Sequence, residues 1–315
     1  MNTKIVRYIL CRMLGVEAAL LLVPVLVAVI YQEKCGIVFL IPIVILCLLF
    51  LVAGRKRPEH GQIYGKEGMV IVALAWILWS LFGAMPFTLS GYIPSYVDAF
   101  FETVSGFTTT GSSIIPDVEV LPHCLLFWRS FTHWIGGMGV LVFVLVVTSL
   151  DRKNSMHLMR AEVPGPEKDK LVPKAMSTAR ILYGMYLILT VIEMVFLVIG
   201  GMNLFDSMIF SFGSAGTGGF SNYADSVAHF NSAYIDGVIT VFCALFGVNF
   251  ALFYFMILGD FKSILKNEEL RTYILLIAGA TAAIMLNIHS DDWKIFPLYG
   301  FSGGYGYNNN RIFDG

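Results

Sequence analysis

Hydrophobic residues along this chain come in long blocks, without the two-residue alternation of half-buried strands or the narrow stripe of soluble helices. A helix needs about 20 mostly apolar residues to cross the hydrocarbon of a bilayer. Stretches that meet or approach this length lie at about 6–30, 37–53, 69–90, 124–150, 181–201, 233–259 and 273–289. Three polar connectors interrupt them: RKRPEHGQIYGKEG, the stretch from Asp151 to Arg180, and GDFKSILKNEELR. These hold Arg55, Arg57, Arg152, Lys153, Arg160, Lys168, Lys174, Lys262, Lys266 and Arg271, whereas IIPDVEVLPH and NYADSVAHF are acidic or neutral. Cytoplasmic loops carry the excess of Lys and Arg, so the connectors and the N-terminus are expected in the cytoplasm.

That orientation leaves the residues between the segments 69–90 and 124–150 on the outer side, yet they include the apolar stretch YVDAFFETVSGF followed by TTTGSS. An apolar run of 10 to 14 residues is too short to span and reads as a segment that dips into the membrane and returns. The plan occurs twice. SYVDAFFETVSGFTTTGSS aligns without a gap on NLFDSMIFSFGSAGTGGFS, pairing Asp98 with Asp206, Thr109 with Thr217, Gly111 with Gly219 and Ser113 with Ser221 at an offset of 108. At the same offset Gly139 meets Gly247. A shared order of spanning helix, short helix, glycine turn and spanning helix points to an internal repeat, a common construction in membrane transport proteins.

Composition supports the membrane reading. The 315 residues are 57% hydrophobic and only 14% charged, against roughly 25% charged in soluble domains. The net charge of −1 gives no basic surface for nucleic acid. Cys11, Cys35, Cys47, Cys124 and Cys243 show no CxxC spacing and read as small buried hydrophobes. The basic start and long apolar run lack a small-residue cleavage site, so a first spanning helix is expected rather than a removed signal. The six histidines lack paired ligand spacing, and GSAGTGGFS lacks the strand context of a dinucleotide site. No nucleophile with a base and no organic cofactor motif is evident.

Irregular backbone at membrane depth is tolerated only where it is buried in protein or lines a water-filled path. A short helix ending at Gly106, then TTTGSS in extended form, would aim carbonyl oxygens at an axis. Such oxygens replace the hydration shell of a monovalent cation. Glycine admits backbone angles that a Cβ would obstruct, which gives Gly111 and Gly219 a reason. The negative C-terminal ends of the short helices would face the cation.

In FFETVSGFTTTGSS, FWRSFTHWIGGMGVLVF and SAGTGGFS the chain resembles the Trk/Ktr/HKT potassium-uptake superfamily, specifically its bacterial Trk-type membrane subunit, over residues 1 to about 290. The resemblance implies an all-α integral membrane fold. Its repeats run from spanning helix through re-entrant pore helix and filter loop to a second spanning helix, and follow an extra helix pair. The divisions are then 1–67 for the helix pair, 68–180 and 181–270 for two complete repeats, and 271–315 for a partial third. By this resemblance Thr109, Thr110 and Gly111 form one potassium filter and Thr217, Gly218 and Gly219 another. Glycine at the key position goes with potassium preference in the family, and serine with sodium permeation. A cytosolic nucleotide-binding regulatory subunit docking on loops such as 151–180, a homodimer, and residence in the bacterial cytoplasmic membrane are also implied.

The expected third filter is missing. Helix-to-filter spacing places it near Arg311, where YNNNRIFD read in a shifted frame can give ITTTGYST, so a frameshift is the expectation for this tail. Glu102 reads as a hydrogen-bonding anchor or as cation attraction at the outer mouth, and Arg129 as a snorkelling or functional charge. Gly136 and Gly137 read as close helix packing or a gating hinge. The rivals to potassium uptake are a non-functional fragment of such a transporter and an intramembrane enzyme using Glu102 and Arg129 as its polar pair.

Overall fold

The structure, a computed structural model, describes residues 2–55, 65–139, 175–257 and 259–288, and the regular elements among them are all helical. The chain divides into two compact units, residues 1–184 and 185–315. The tail read as frameshifted and the connector from Asp151 to Lys174 lie outside the described residues.

In the first unit, α1 (Thr3–Leu20) and α2 (Leu22–Ile30) join at Leu21 into one apolar span of 28 residues. Rising 1.5 Å per residue, it is about 42 Å long, enough to cross a bilayer. The chain returns through a tight turn at Lys34–Phe39 and α3 (Leu40–Leu49), completing a second span, Lys34–Gly54. Large aliphatic side chains such as Leu26, Val29, Ile30 and Val52 stand exposed on these spans, as a lipid-facing surface requires. Next come α4 (Gly65–Leu89), the 12-residue α5 (Tyr96–Phe107) and α6 (His123–Gly137). Twelve residues reach about 18 Å, too short to cross. Ser95 starts α5 by accepting the Asp98 amide at 3.4 Å. The core of this unit is aromatic: Trp79 meets Phe107 edge-on at 5.6 Å, Phe107 meets Trp128 at 6.2 Å, and Phe39 meets Trp128 at 6.5 Å.

The second unit, whose first helix begins in the last residues of the first, repeats the plan. α7 (Ala175–Ile199) is followed by the 12-residue α8 (Leu204–Ala215), whose N-cap Asn203 accepts the Asp206 amide at 2.8 Å, and by α9 (Ala233–Phe246). Leu197, Met202, Phe210, Val227, Ile235 and Ile239 form its core. Then follow α10 (Phe250–Ile257), α11 (Phe261–Lys266) and α12 (Glu268–Ile288).

Two expected spans differ. The segment 233–259 is two helices, because α9 stops at Phe246 and α10 begins at Phe250. The tyrosine at 273 packs against the stop: its hydroxyl occupies the space a Cβ on Gly247 would need, and it donates to the Ala244 carbonyl at 3.1 Å. The segment expected at 124–150 leaves helical geometry after Gly137, with Gly139 at φ +74°, and residues 140–150 lie outside the described set. Apolar length is blind to such breaks, since glycine is neutral in a hydropathy reading, yet Gly139 supplies a left-handed angle and Gly247 admits a close neighbour.

The five cysteines are free, and packing brings the Cys35 and Cys124 thiols together beside the tip of the first helical hairpin. There Tyr31 stacks on His123 with ring centroids 4.0 Å apart. The Glu33 carboxylate accepts the His123 amide at 2.7 Å and the Cys124 amide at 3.0 Å, satisfying two free donors at the start of α6. Partial burial opposes the charge on Glu33, but the hydrogen bonds from Cys124 and His123 outweigh it and hold the carboxyl below its usual range. A carboxylate lowered in the folded state adds stability above its unfolded pKa of about 4.3, and that stability fades as pH falls through the lower folded value. Thermal unfolding in detergent is expected to show Glu33→Gln less stable than wild type at pH 7, with the gap closing below about pH 4 as wild-type Glu33 takes up its proton.

Candidate functional site

Each short helix ends in a loop built on one scheme. After α5, the Thr109 amide donates to the Gly106 carbonyl at 3.0 Å and the Thr110 amide to Ser105 at 2.9 Å. After α8, the Thr217 amide donates to Ser214 at 2.8 Å and the Gly218 amide to Gly213 at 3.2 Å. The bonds coincide at the offset of 108. Backbone handedness coincides too: Thr109 has φ +55° and Gly111 +79°, while Thr217 has +53° and Gly219 +78°. The residue between, Thr110 or Gly218, lies outside the positive-φ set.

The expectation of extended TTTGSS is therefore corrected. A left-handed threonine costs roughly 1–2 kcal/mol, and its repetition marks a conformation that the surroundings enforce. Alternating hand turns successive amides toward one side and the carbonyls away from it. The amides are held by the last turn of the short helix. Among the described residues, the carbonyls of Thr109, Thr110, Gly111, Thr217, Gly218 and Gly219 accept no hydrogen bond.

The chain leaving each loop is pinned back to its short helix. In the first unit Ser105 Oγ donates to the Ser112 carbonyl at 2.6 Å. The matching residue in the second unit is Gly213, where a Cβ would come 2.7 Å from the matching carbonyl, that of Phe220. One unit thus uses a hydroxyl bridge and the other direct backbone contact. A second pin is ionic. Glu102, fully buried, takes Arg129 Nε at 2.6 Å and Ser113 Oγ at 3.0 Å on one oxygen, and the Ile114 amide at 2.9 Å on the other. Arg129 is itself only 3% exposed. This corrects two readings: Glu102 is no exposed cation lure, and Arg129 does not snorkel to water.

The second unit has Phe210 and Gly237 where the first has Glu102 and Arg129. Asp206 does the pinning there, one helical turn earlier. It accepts Asn222 Nδ2 at 2.6 Å, Tyr223 hydroxyl at 2.9 Å and Asn203 Nδ2 at 2.7 Å. Repeat alignment pairs Asp206 with Asp98, which lies in the first turn of its helix, so the same residue type stands at matching places without the same contacts. A buried acid on each half-length apolar helix was the available signal.

Gly136 permits a close backbone approach, because a Cβ there would collide with the Phe107 carbonyl that ends α5. Gly137 is the last residue of α6. Close packing is the geometry observed at Gly136.

Apolar spans, paired half-length helices and Thr/Gly loops define an all-helical membrane protein, and comparison with known proteins narrows the class. A family model described as TrkH, cation transport protein, matches residues 36–306. The Trk system potassium uptake protein TrkH of Escherichia coli strain K12 is 35% identical over 258 residues, covering 81% of this chain and 53% of that protein. TrkG of the same strain is 35% identical over 312 residues, covering 97% and 63%. The crystal structure of the potassium transporter TrkH from Vibrio parahaemolyticus superposes with a TM-score of 0.81 at 27% identity, covering 96% of this chain and 64% of that one. The chain belongs to the TrkH family of cation transport proteins. It spans between half and two thirds of the length of these relatives.

Removing one member of a buried ion pair leaves an uncompensated charge, which costs about 3–5 kcal/mol. Glu102→Gln and Arg129→Met are each expected to lower thermal stability in detergent, and the double variant to recover part of the loss, as a double-mutant cycle would register. Gly136→Ala is expected to cost about 1–3 kcal/mol or more from overpacking against Phe107, read by the same unfolding measurement.

Proposed function

We propose that this chain serves potassium uptake across the bacterial cytoplasmic membrane, with Thr109, Thr110 and Gly111 as one filter segment and Thr217, Gly218 and Gly219 as another. The observation that carries the reading is the duplicated loop. In both units the last turn of a short helix takes up the amides of the first two loop residues, and among the described residues the carbonyls of three successive residues accept no hydrogen bond. A potassium ion shedding water loses strong oxygen contacts and crosses only where other oxygens replace them. Carbonyl dipoles fixed by the Glu102 and Asp206 pins need no reorganisation when the ion arrives. The C-terminal ends of α5 and α8 add partial negative charge at the same places.

Potassium is the transported substrate in this reading, and no organic group takes part. The two units correspond to successive pore repeats, with α12 opening a third, and the basic connectors put the N-terminus in the cytoplasm. The cytosolic nucleotide-binding regulatory subunit and the second copy of the chain belong to the same reading and rest on the family resemblance. Glu102 and Arg129 as an enzyme's polar pair find no support, because both Glu102 oxygens are occupied by Arg129, Ser113 and Ile114.

Potassium-limited growth and rubidium uptake in a host lacking its own potassium uptake test the proposal. Expected is rescue by the chain, or by a version extended to the length of its relatives. Gly219→Ser in the rescuing form is expected to raise sodium uptake relative to potassium. Absence of rescue by the extended version would overturn the proposal.

A further inference from the structure

Tyr223 is held both by its hydroxyl and by its ring. The hydroxyl donates to Asp206 of α8 at 2.9 Å. The His229 ring lies flat on the tyrosine ring, with centroids 3.6 Å and planes 6° apart, and the Phe230 ring meets it at a right angle with centroids 5.6 Å apart. Phe230 in turn meets Phe210, one turn beyond Asp206 on α8, at 5.4 Å. Two successive turns of the short helix thus fix a single phenol.

His229 and Phe230 belong to the short turn Ser226–Phe230, whose backbone is strained at both ends. Ser226 has φ +54°, and Asn231, which closes the turn, has φ +43°. Left-handed residues other than glycine persist only where the surroundings impose them, and such strain gathers at functional places. Core packing accounts for Val227, which is buried among Leu197, Met202 and Ile235. It does not account for His229, whose side chain stays 43% exposed and has Asp225 Oδ1 3.5 Å from its Nδ1. What the histidine ring covers is one face of Tyr223.

The first unit has no counterpart at this place. At the offset of 108, Tyr223, His229 and Phe230 correspond to Ile115, Leu121 and Pro122. There the chain leaving the loop is tied by Glu102, which the buried Arg129 neutralises. The first unit does contain a tyrosine–histidine stack, Tyr31 on His123, but it locks the hairpin tip to α6. In the second unit the pin on the outgoing chain consists of Asn222 and Tyr223 donating to Asp206, so the orientation of the phenol sets half of it.

From this we infer that His229 is a positioning residue for the second filter loop: by stacking on Tyr223 it keeps the phenol hydroxyl on Asp206, and so holds the chain that leaves Thr217, Gly218 and Gly219. The inference deepens the reading of 217–219 as a filter and rests on it, and its test does not depend on transport.

Hydrogen exchange by mass spectrometry on the 315-residue chain in detergent reads local opening of the loop. Tyr223→Phe keeps the stack and loses a hydrogen bond to a carboxylate, which is expected to speed exchange across 217–223 about tenfold. His229→Ala removes an aromatic pair and is expected to speed it about threefold or more. His229→Phe restores the flat ring and should return exchange close to the wild-type rate. In the Tyr223→Phe background His229→Ala should add nothing, because the histidine acts through the hydroxyl that is already gone. Peptides covering Thr109 and Thr110 should keep wild-type rates throughout. Unchanged exchange in His229→Ala, an undiminished effect of His229→Ala in the Tyr223→Phe background, or equal acceleration at Thr109 and Thr110 would each overturn the inference. Potassium added to the wild type tests the filter reading separately: a lack of potassium-dependent protection at 217–219 would remove that reading and leave the link from His229 through Tyr223 to the loop standing.

Discussion

Backbone polar groups at membrane depth have no water to turn to, and the two Thr/Gly loops answer that constraint with the carbonyls of the helix just ended. Thr109 and Thr110 bond back to Gly106 and Ser105, and Thr217 and Gly218 bond back to Ser214 and Gly213. These four donors are thereby satisfied within five residues, and among the described residues the loop carbonyls accept no hydrogen bond. The rest of the architecture follows from this choice. The loop must be left-handed at its first threonine and at its glycine, and a short helix must stop at the depth where the loop is needed.

Holding a left-handed threonine takes support, and the two units supply it by different chemistry. One buries an ion pair whose carboxylate also bonds the outgoing Ser113 and Ile114. The other gathers Asn203, Asn222 and Tyr223 around Asp206. The same backbone thus tolerates a charged lock in one copy and one built around a single carboxylate in the other. The backbone geometry is common to both units, while the locking side chains need only satisfy each other.

The spans and the half-length helices were legible because hydropathy follows length, and the bilayer imposes length directly. The repeat was legible through Thr109, Thr217, Gly111 and Gly219, residues whose backbone angles are the repeated feature. The breaks after Gly137 and Phe246 were hidden inside apolar runs, since a glycine amid hydrophobic neighbours changes no hydropathy sum. The role of Asp206 was hidden by its match to Asp98, because alignment compares positions along the chain and the pin depends on which side chain reaches across to Asn222.

By itself the sequence determined that this is a membrane protein, where its main spans run, and that one loop is used twice, since all three are written in local composition and order. Only tertiary structure decided that Glu102 and Arg129 neutralise each other away from water and that Gly136 seats α6 against the Phe107 carbonyl. Those facts depend on which faces of distant helices meet. Contact between residues 27 or more positions apart is set by packing in three dimensions and leaves no periodic mark on the chain.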